Sequence, residues 1–203
     1  MRTWSSNDGA GEISMLHDIY CLPIGATIGY LLLFGAAWTA LGGRLCARGD
    51  RMYRRWRMGC AAVLAVWLCA VLYSTLLDRT AGSYAVHPAP LSQLRAALRG
   101  DNPEILRSWW MNVLLFVPCG MALPELLPRT WSRKRRVLTA VLAALLLSAG
   151  VELAQWRWQL GQAETDDCLA NVLGGLLGSG IFALRCRASA RLLRRGEDAS
   201  GHT

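Results

Sequence analysis

The sequence predicts an all-α, polytopic membrane protein with five transmembrane helices, its N-terminus outside and its C-terminus in the cytoplasm. The chain of 203 residues is 53% hydrophobic and only 18% charged. Its apolar residues form long blocks of about the 20 residues that a helix needs to cross hydrocarbon. The 22 basic residues lie almost entirely between those blocks. This pattern argues against disorder and against an ordinary soluble enzyme.

Five apolar blocks predict the five spans, and the last three blocks reach spanning length once their polar ends are included. The first span is expected to remain in the protein, because acidic residues precede it instead of the basic residues of a signal peptide. The third should begin at Asn102, Pro103 and Glu104, which supply an N-cap, a first-turn proline and an early carboxylate. The predicted spans cover residues 19–43, 58–77, 103–127, 137–156 and 165–184.

The basic residues of the connecting segments predict the orientation, since cytoplasmic loops retain Lys and Arg. One side holds 16 basic residues, in residues 44–57, 129–136 and 185–203. The other side holds 6 basic and 10 acidic residues, in residues 1–18, 78–107 and 152–167. Residues 1–18 are therefore predicted to be an extracytoplasmic tail, and residues 185–203 a cytoplasmic basic tail.

The long outer loop contains a helical pattern of its own. Leu91, Leu94 and Leu98 recur at helical spacing beside Arg95 and Arg99. This pattern predicts a short helix lying in the outer interface, and a plain surface loop is the alternative.

Polar side chains lie near the predicted outer ends of three helices, just below the headgroup level that Trp109 and Trp156 mark. A charged group at the centre of a span costs roughly 2.5–3.5 kcal/mol on insertion scales, so such groups normally face one another or water. A single hydrogen-bonded cluster is the arrangement of lowest free energy. The predicted cluster comprises Asn112 of the third helix, Glu152 and Gln155 of the fourth, and Asp167 and Asn171 of the fifth.

Two interpretations of this cluster stay open. The polar groups either hold the helices together or bind a ligand, and a carboxylate that is reachable from outside favours the ligand. Gly174 and Gly178 have the small-xxx-small spacing that lets two helices approach closely, which predicts a packing groove. In the third helix, Pro118 favours a kink, and Pro118 and Gly120 are predicted to take part in helix packing with Gly174 and Gly178.

The motifs of several enzyme and metal-site classes are absent from the sequence. It contains no HExxH, GxSxG, Walker A or CxxC pattern, so no metal and no cofactor are predicted. The net charge of +8 is explained by the loops of one membrane side, and no nucleic-acid partner is predicted.

Three motifs, in this order and spacing, resemble the VanZ-like family of bacterial membrane proteins. The family patterns are N-xx-LF-x-P-x-G, E-xx-Q and D-xxx-N-xx-G-xxx-G. They correspond to Asn112 through Pro118 and Gly120, to Glu152 and Gln155, and to Asp167, Asn171, Gly174 and Gly178. The resemblance covers about residues 107–184, and Tyr73-Ser-Thr-Leu-Leu resembles the family's second-helix ending. Gly161 and Glu164 stand where family members usually carry Arg and Asp.

The resemblance implies a protein of the bacterial inner membrane, in a family whose founding member is associated with low-level teicoplanin resistance. The first hypothesis is a non-enzymatic protein whose five-residue cluster binds membrane lipid, a lipid-linked wall precursor or a lipoglycopeptide. One alternative is an enzyme acting on an envelope lipid, with Glu152 or Asp167 as general base. The other is a subunit of a membrane transport or assembly complex. None of these hypotheses fixes an oligomeric state.

Overall fold

The structure, a computed structural model, describes residues 24–77, 86–87, 91, 95, 99, 103–160 and 163–200, and most of them form five long helices. All five are long and apolar enough to cross a membrane, which confirms the predicted all-α, multi-pass fold class. The predicted tail 1–18 and the start of the first span lie outside the described residues. The helices are α1 (Ile24–Ala47), α2 (Asp50–Leu72), α3 (Pro103–Leu126), α4 (Arg133–Trp158) and α5 (Thr165–Ser200).

Helix α5 lies at the centre of the bundle, against α1, α3 and α4, and α3 lies between α5 and α2. Phe116 and Val113 of α3 and Phe182 of α5 are fully buried there. At the α1–α2 contact, the rings of Trp38 and Trp56 meet edge to face with their centroids 4.6 Å apart. Large apolar side chains also cover the outside of the bundle, as expected where the neighbour is lipid.

The helices extend beyond the apolar blocks that predict the spans. Helix α1 continues to Ala47 and α2 begins at Asp50, so the predicted loop 44–57 is largely helical. Residues 185–200, predicted as a tail, continue α5 and bury Arg185 and Ser189. Arginine favours helix and its long stem lies readily along apolar surface. An arginine at the end of an apolar block therefore does not end the helix.

A buried ion cluster joins α3, α4 and α5 at the predicted cytoplasmic end. Glu125 is fully buried, and Arg136 and Arg185 are 8% and 4% exposed. Arg185 contacts the Glu125 carboxylate directly, and Arg136 Nη2 lies 3.8 Å from Glu125 Oε2. Arg136 Nε also donates to the Pro124 carbonyl at 2.7 Å, and Arg57 Nη2 donates to the Leu126 carbonyl at 2.7 Å. Arg57 and Arg136 thus satisfy C-terminal carbonyls of α3 that have no partner within the helix.

At the predicted outer end, the described residues of the long loop include a short strand, which pairs with the bundle, and a helical turn. Strand β1 (Val86–His87) pairs in parallel with β2 (Ala163–Glu164), directly before α5. The Arg95 amide donates to the Leu91 carbonyl at 3.0 Å, and the Arg99 amide donates to the Arg95 carbonyl at 3.2 Å. Both bonds have the i→i+4 spacing of an α-helical turn. The other residues of the predicted interfacial helix, Leu94 and Leu98 among them, lie outside the described residues.

The orientation of the bundle stays a prediction, and reporter fusions test it. Because basic residues are retained in the cytoplasm, we expect reporters inserted at Gly49 and Trp131 to give cytoplasmic signals. A reporter inserted at Arg95 should give an extracytoplasmic signal. A cytoplasmic signal at Arg95 together with external signals at the other two sites would reverse the orientation.

Candidate functional site

A small cavity lies between α2, α3, α4 and α5 near the predicted outer end. Its volume of about 20 Å³ accommodates about one water-sized group. The five residues of the predicted cluster all line it. We call it the polar cavity, and its walls are formed by Val71, Thr75, Asn112, Leu115, Phe116, Val151, Glu152, Gln155, Asp167 and Asn171.

The end of α2 forms one wall through an irregular turn. Residues Tyr73–Leu77 form a π-helical turn, a feature that often occurs at functional sites. The hydroxyls of Ser74 and Thr75 donate to the Val71 carbonyl at 3.2 and 2.6 Å, which is the back-bonding that bends helices. Gln155 Nε2 donates to the Thr75 carbonyl at 2.9 Å. Gln155 therefore ties α4 to the turn as well as lining the cavity.

Asn171 carries the least satisfied group of the cavity. Its side chain is 7% exposed, and its Nδ2 donates to Ser148 Oγ at 2.7 Å. Its other amide atom, Oδ1, is buried without a hydrogen-bond partner. A buried acceptor without a donor costs about 1–3 kcal/mol. A hydrogen-bond donor bound in the cavity would remove that cost.

The remaining polar groups make the cavity rich in acceptor atoms. Glu152 and Asp167, both half-buried, contribute two carboxylates, and Asn112 and Gln155 contribute amide groups. Such a wall favours a donor, and above all a cationic donor, over a phosphate. Among the described residues, no group of three His, Cys, Asp or Glu side chains forms a metal site.

Asp166 precedes the cavity residue Asp167 in the chain but is not among the residues that line the polar cavity. It is 2% exposed, and its Oδ1 accepts a hydrogen bond from the Leu91 amide. Asp166 therefore attaches the long loop to the first turn of α5, where a carboxylate also interacts favourably with the helix dipole.

Two groups in this network are missing from the predicted cluster. Ser148 lies four residues before Glu152 on α4, so helical spacing already places it on the same face. The Thr75 carbonyl is a backbone group, exposed to Gln155 by the π-helical turn. No side-chain pattern in the sequence signals it.

Glycines hold α3 and α5 together directly beside the cavity. A Cβ atom added at Gly174 would lie 2.0 Å from the Val113 oxygen, and one at Gly178 would lie 2.1 Å from the Val117 oxygen. A Cβ at Gly120 would lie 2.0 Å from the Gly175 oxygen. The two backbones thus touch where Asn112 and Asn171 face the cavity, and this contact sets the distance between those cavity walls.

Pro118 lies inside helix α3, which runs from Pro103 to Leu126, and the kink predicted there stays a prediction. Pro118 has no N–H to offer the Leu114 carbonyl. One residue further, the Trp67 indole Nε1 donates to the Leu115 carbonyl at 2.5 Å. A side chain of α2 thus adds a donor at the turn that the proline weakens.

Comparison with known proteins identifies one family. A model described as VanZ/LLP1 matches residues 59–186, a range that includes every residue lining the polar cavity. No curated protein and no solved structure matches the chain.

Proposed function

The chain belongs to the VanZ/LLP1 family, and from that premise we propose that its polar cavity binds the polar head of an amphiphilic envelope ligand without catalysing a reaction. The ligand classes are a membrane lipid, a lipid-linked wall precursor and a lipoglycopeptide of the teicoplanin type. The observation that carries the proposal is Asn171 Oδ1, a buried acceptor without a donor in a cavity that two carboxylates line. The protein acts in the bacterial inner membrane.

The chemistry of the walls selects the part of the ligand that enters. Carboxylate and amide oxygens accept hydrogen bonds, so an ammonium or a hydroxyl group is favoured and a phosphate is repelled. The volume of about 20 Å³ admits one such group. The rest of the head lies beyond the ends of the helices, and the apolar part lies along their lipid-facing sides.

In this binding mode the protein contributes to glycopeptide resistance by binding alone, without catalysing a reaction. A protein that holds a lipoglycopeptide, or the wall precursor that a glycopeptide targets, lowers the free concentration of that molecule at the membrane surface. The protection then depends on the amount of protein present, because each molecule holds one ligand and no turnover renews it.

Glu152→Gln is the variant that tests the proposal. It keeps the shape of the side chain and removes its charge, so we expect normal folded yield and at least tenfold weaker binding, since hydrogen bonds to charged groups contribute about 1.5–3 kcal/mol. The measurement is saturable binding of a fluorescent lipoglycopeptide and of phosphatidylethanolamine to the purified protein in detergent. Asp50→Asn, which removes a carboxylate at the opposite end of the bundle, is the matched control.

Asn171→Ala removes the unpartnered oxygen itself and should weaken binding in the same assay. Because it also removes the hydrogen bond to Ser148, Ser148→Ala serves as its control for stability. Loss of folded yield in Glu152→Gln in step with loss of binding would show that the cluster only holds helices together. Absence of saturable binding to every probe in the unaltered protein would also overturn the proposal.

A further inference from the structure

A groove on the surface of the bundle, between α1 and α5, is separate from the polar cavity. Its volume is about 630 Å³, some thirty times that of the cavity. The α1 wall includes the exposed small residues Ala36 and Ala40, and Ile181 of α5 lies opposite. Because small side chains of α1 face larger ones of α5, the two helices leave an open apolar channel along the lipid-facing surface.

The groove covers most of the depth of one leaflet of a bilayer. On α5 its apolar lining before Arg187 runs from Leu177 to Leu184, which is about 11 Å at about 1.5 Å per residue. Half of a hydrocarbon core about 30 Å thick is about 15 Å. A lipid chain lying in the groove would therefore be in contact with protein along most of its depth in the membrane.

Two arginines line the predicted cytoplasmic end of the groove. Arg187 and Arg191 are both exposed and stand four residues apart on α5, so they lie on one face of the helix. Guanidinium groups bind phosphate oxygens through pairs of hydrogen bonds. We infer that the groove binds an anionic glycerophospholipid, with a fatty acyl chain along Ala36, Ala40 and Ile181 and its phosphate at Arg187 and Arg191.

Charge favours a lipid over a second copy of the chain in this groove. Two copies inserted in the same orientation and joined through it by a twofold axis would bring Arg187 and Arg191 of both copies to one level of the membrane. Four guanidinium groups would then meet without an acidic partner lining the groove. An anionic phosphate instead complements the pair, and basic pockets between helices at this membrane side bind anionic headgroups.

Native mass spectrometry of the full-length protein in detergent, titrated with phosphatidylglycerol and with phosphatidylcholine of the same chains, tests the inference. We expect phosphatidylglycerol to bind at least tenfold more tightly. The double variant R187Q/R191Q should weaken phosphatidylglycerol binding about 30-fold, which corresponds to about 1 kcal/mol per basic residue, and should remove the preference between the two lipids. The control R194Q/R195Q removes the same charge from α5 at residues that do not line the groove, and should change binding less than threefold.

A second pair of variants tests the apolar part. Ala36→Phe fills the groove without a change of charge and should weaken the binding of both lipids, whereas Ala65→Phe, at an exposed residue of α2 outside the groove, should not. The inference is overturned if R194Q/R195Q weakens binding as much as R187Q/R191Q, because net charge would then explain the attraction. It is also overturned if the lipids bind equally to the unaltered protein, or if Ala36→Phe converts a dimer to a monomer.

Discussion

Glu125→Gln is expected to lower the yield of folded protein severely, although the substitution removes only the charge of one side chain. Glu125 is fully buried between Arg136 and Arg185. Loss of its negative charge therefore leaves two buried guanidinium groups without an anion. Breaking a buried ion pair by removing one partner costs about 3–5 kcal/mol, a large part of the stability of a typical domain. Folded yield by gel filtration and melting temperature in detergent measure the effect.

Asp50→Asn is the matched control for that prediction. Asp50 and Arg129 also form an ion pair, at 3.0 Å, but their side chains are 82% and 59% exposed. Exposed pairs contribute about 0–1 kcal/mol, so melting temperature and yield should hardly change. The double variant E125Q/R185Q should recover part of the yield, because it removes one of the two uncompensated charges. Equal effects of Glu125→Gln and Asp50→Asn would contradict a stabilising role for the buried cluster.

The sequence predicts the polar cavity better than the ion cluster, and helix ends explain the difference. Asn112, Glu152 and Asp167 lie within the predicted spans, where polar side chains are restricted to contacts with one another or with water. Their shared depth can be read from the nearby tryptophans. The ion cluster instead joins Glu125 to arginines at the boundaries of apolar blocks, such as Arg185, which a count of loop charges treats as solvated.

Burial of Arg185 follows from the length of α5, which continues to Ser200 well beyond the apolar block. Only the packed structure shows that Arg185 in this extension contacts Glu125 of α3 and that Ala188 packs beside Gly43 of α1, because the pattern of α5 after Leu184 is no longer apolar. The volume of the polar cavity also follows only from the packed structure and not from the sequence. The sequence identifies which polar groups meet, but the distance between the helices that carry them depends on backbone contact.

That contact is set by the glycines of α3 and α5, and it determines what the cavity admits. Gly174 lies one turn after Asn171, and Val113 follows Asn112, so the close approach occurs beside the cavity that the two amide side chains line. A larger residue at Gly174 would separate the helices and widen the cavity. Tight packing of α3 on α5 and a site for a single small donor group are therefore two consequences of one contact.

Gly174→Ala accordingly has the second large expected effect, even though it adds a single methyl group. The new Cβ would lie 2.0 Å from the Val113 oxygen, and a backbone atom cannot turn away as a flexible side chain can. Overpacking of this kind costs about 1–3 kcal/mol or more. We expect a lower melting temperature and a lower folded yield, and weaker ligand binding in the fraction that folds.

Gly180→Ala separates this packing effect from the general effect of alanine in a helix. Gly180 lies on the same helix, and a Cβ added there would meet nothing within 4 Å. Alanine is favoured over glycine in a helix by about 0.5–1 kcal/mol, so this variant should be as stable as the unaltered protein or slightly more stable. If Gly174→Ala were equally stable, the α3–α5 contact would have room for a methyl group. The close backbone approach would then not set the width of the polar cavity.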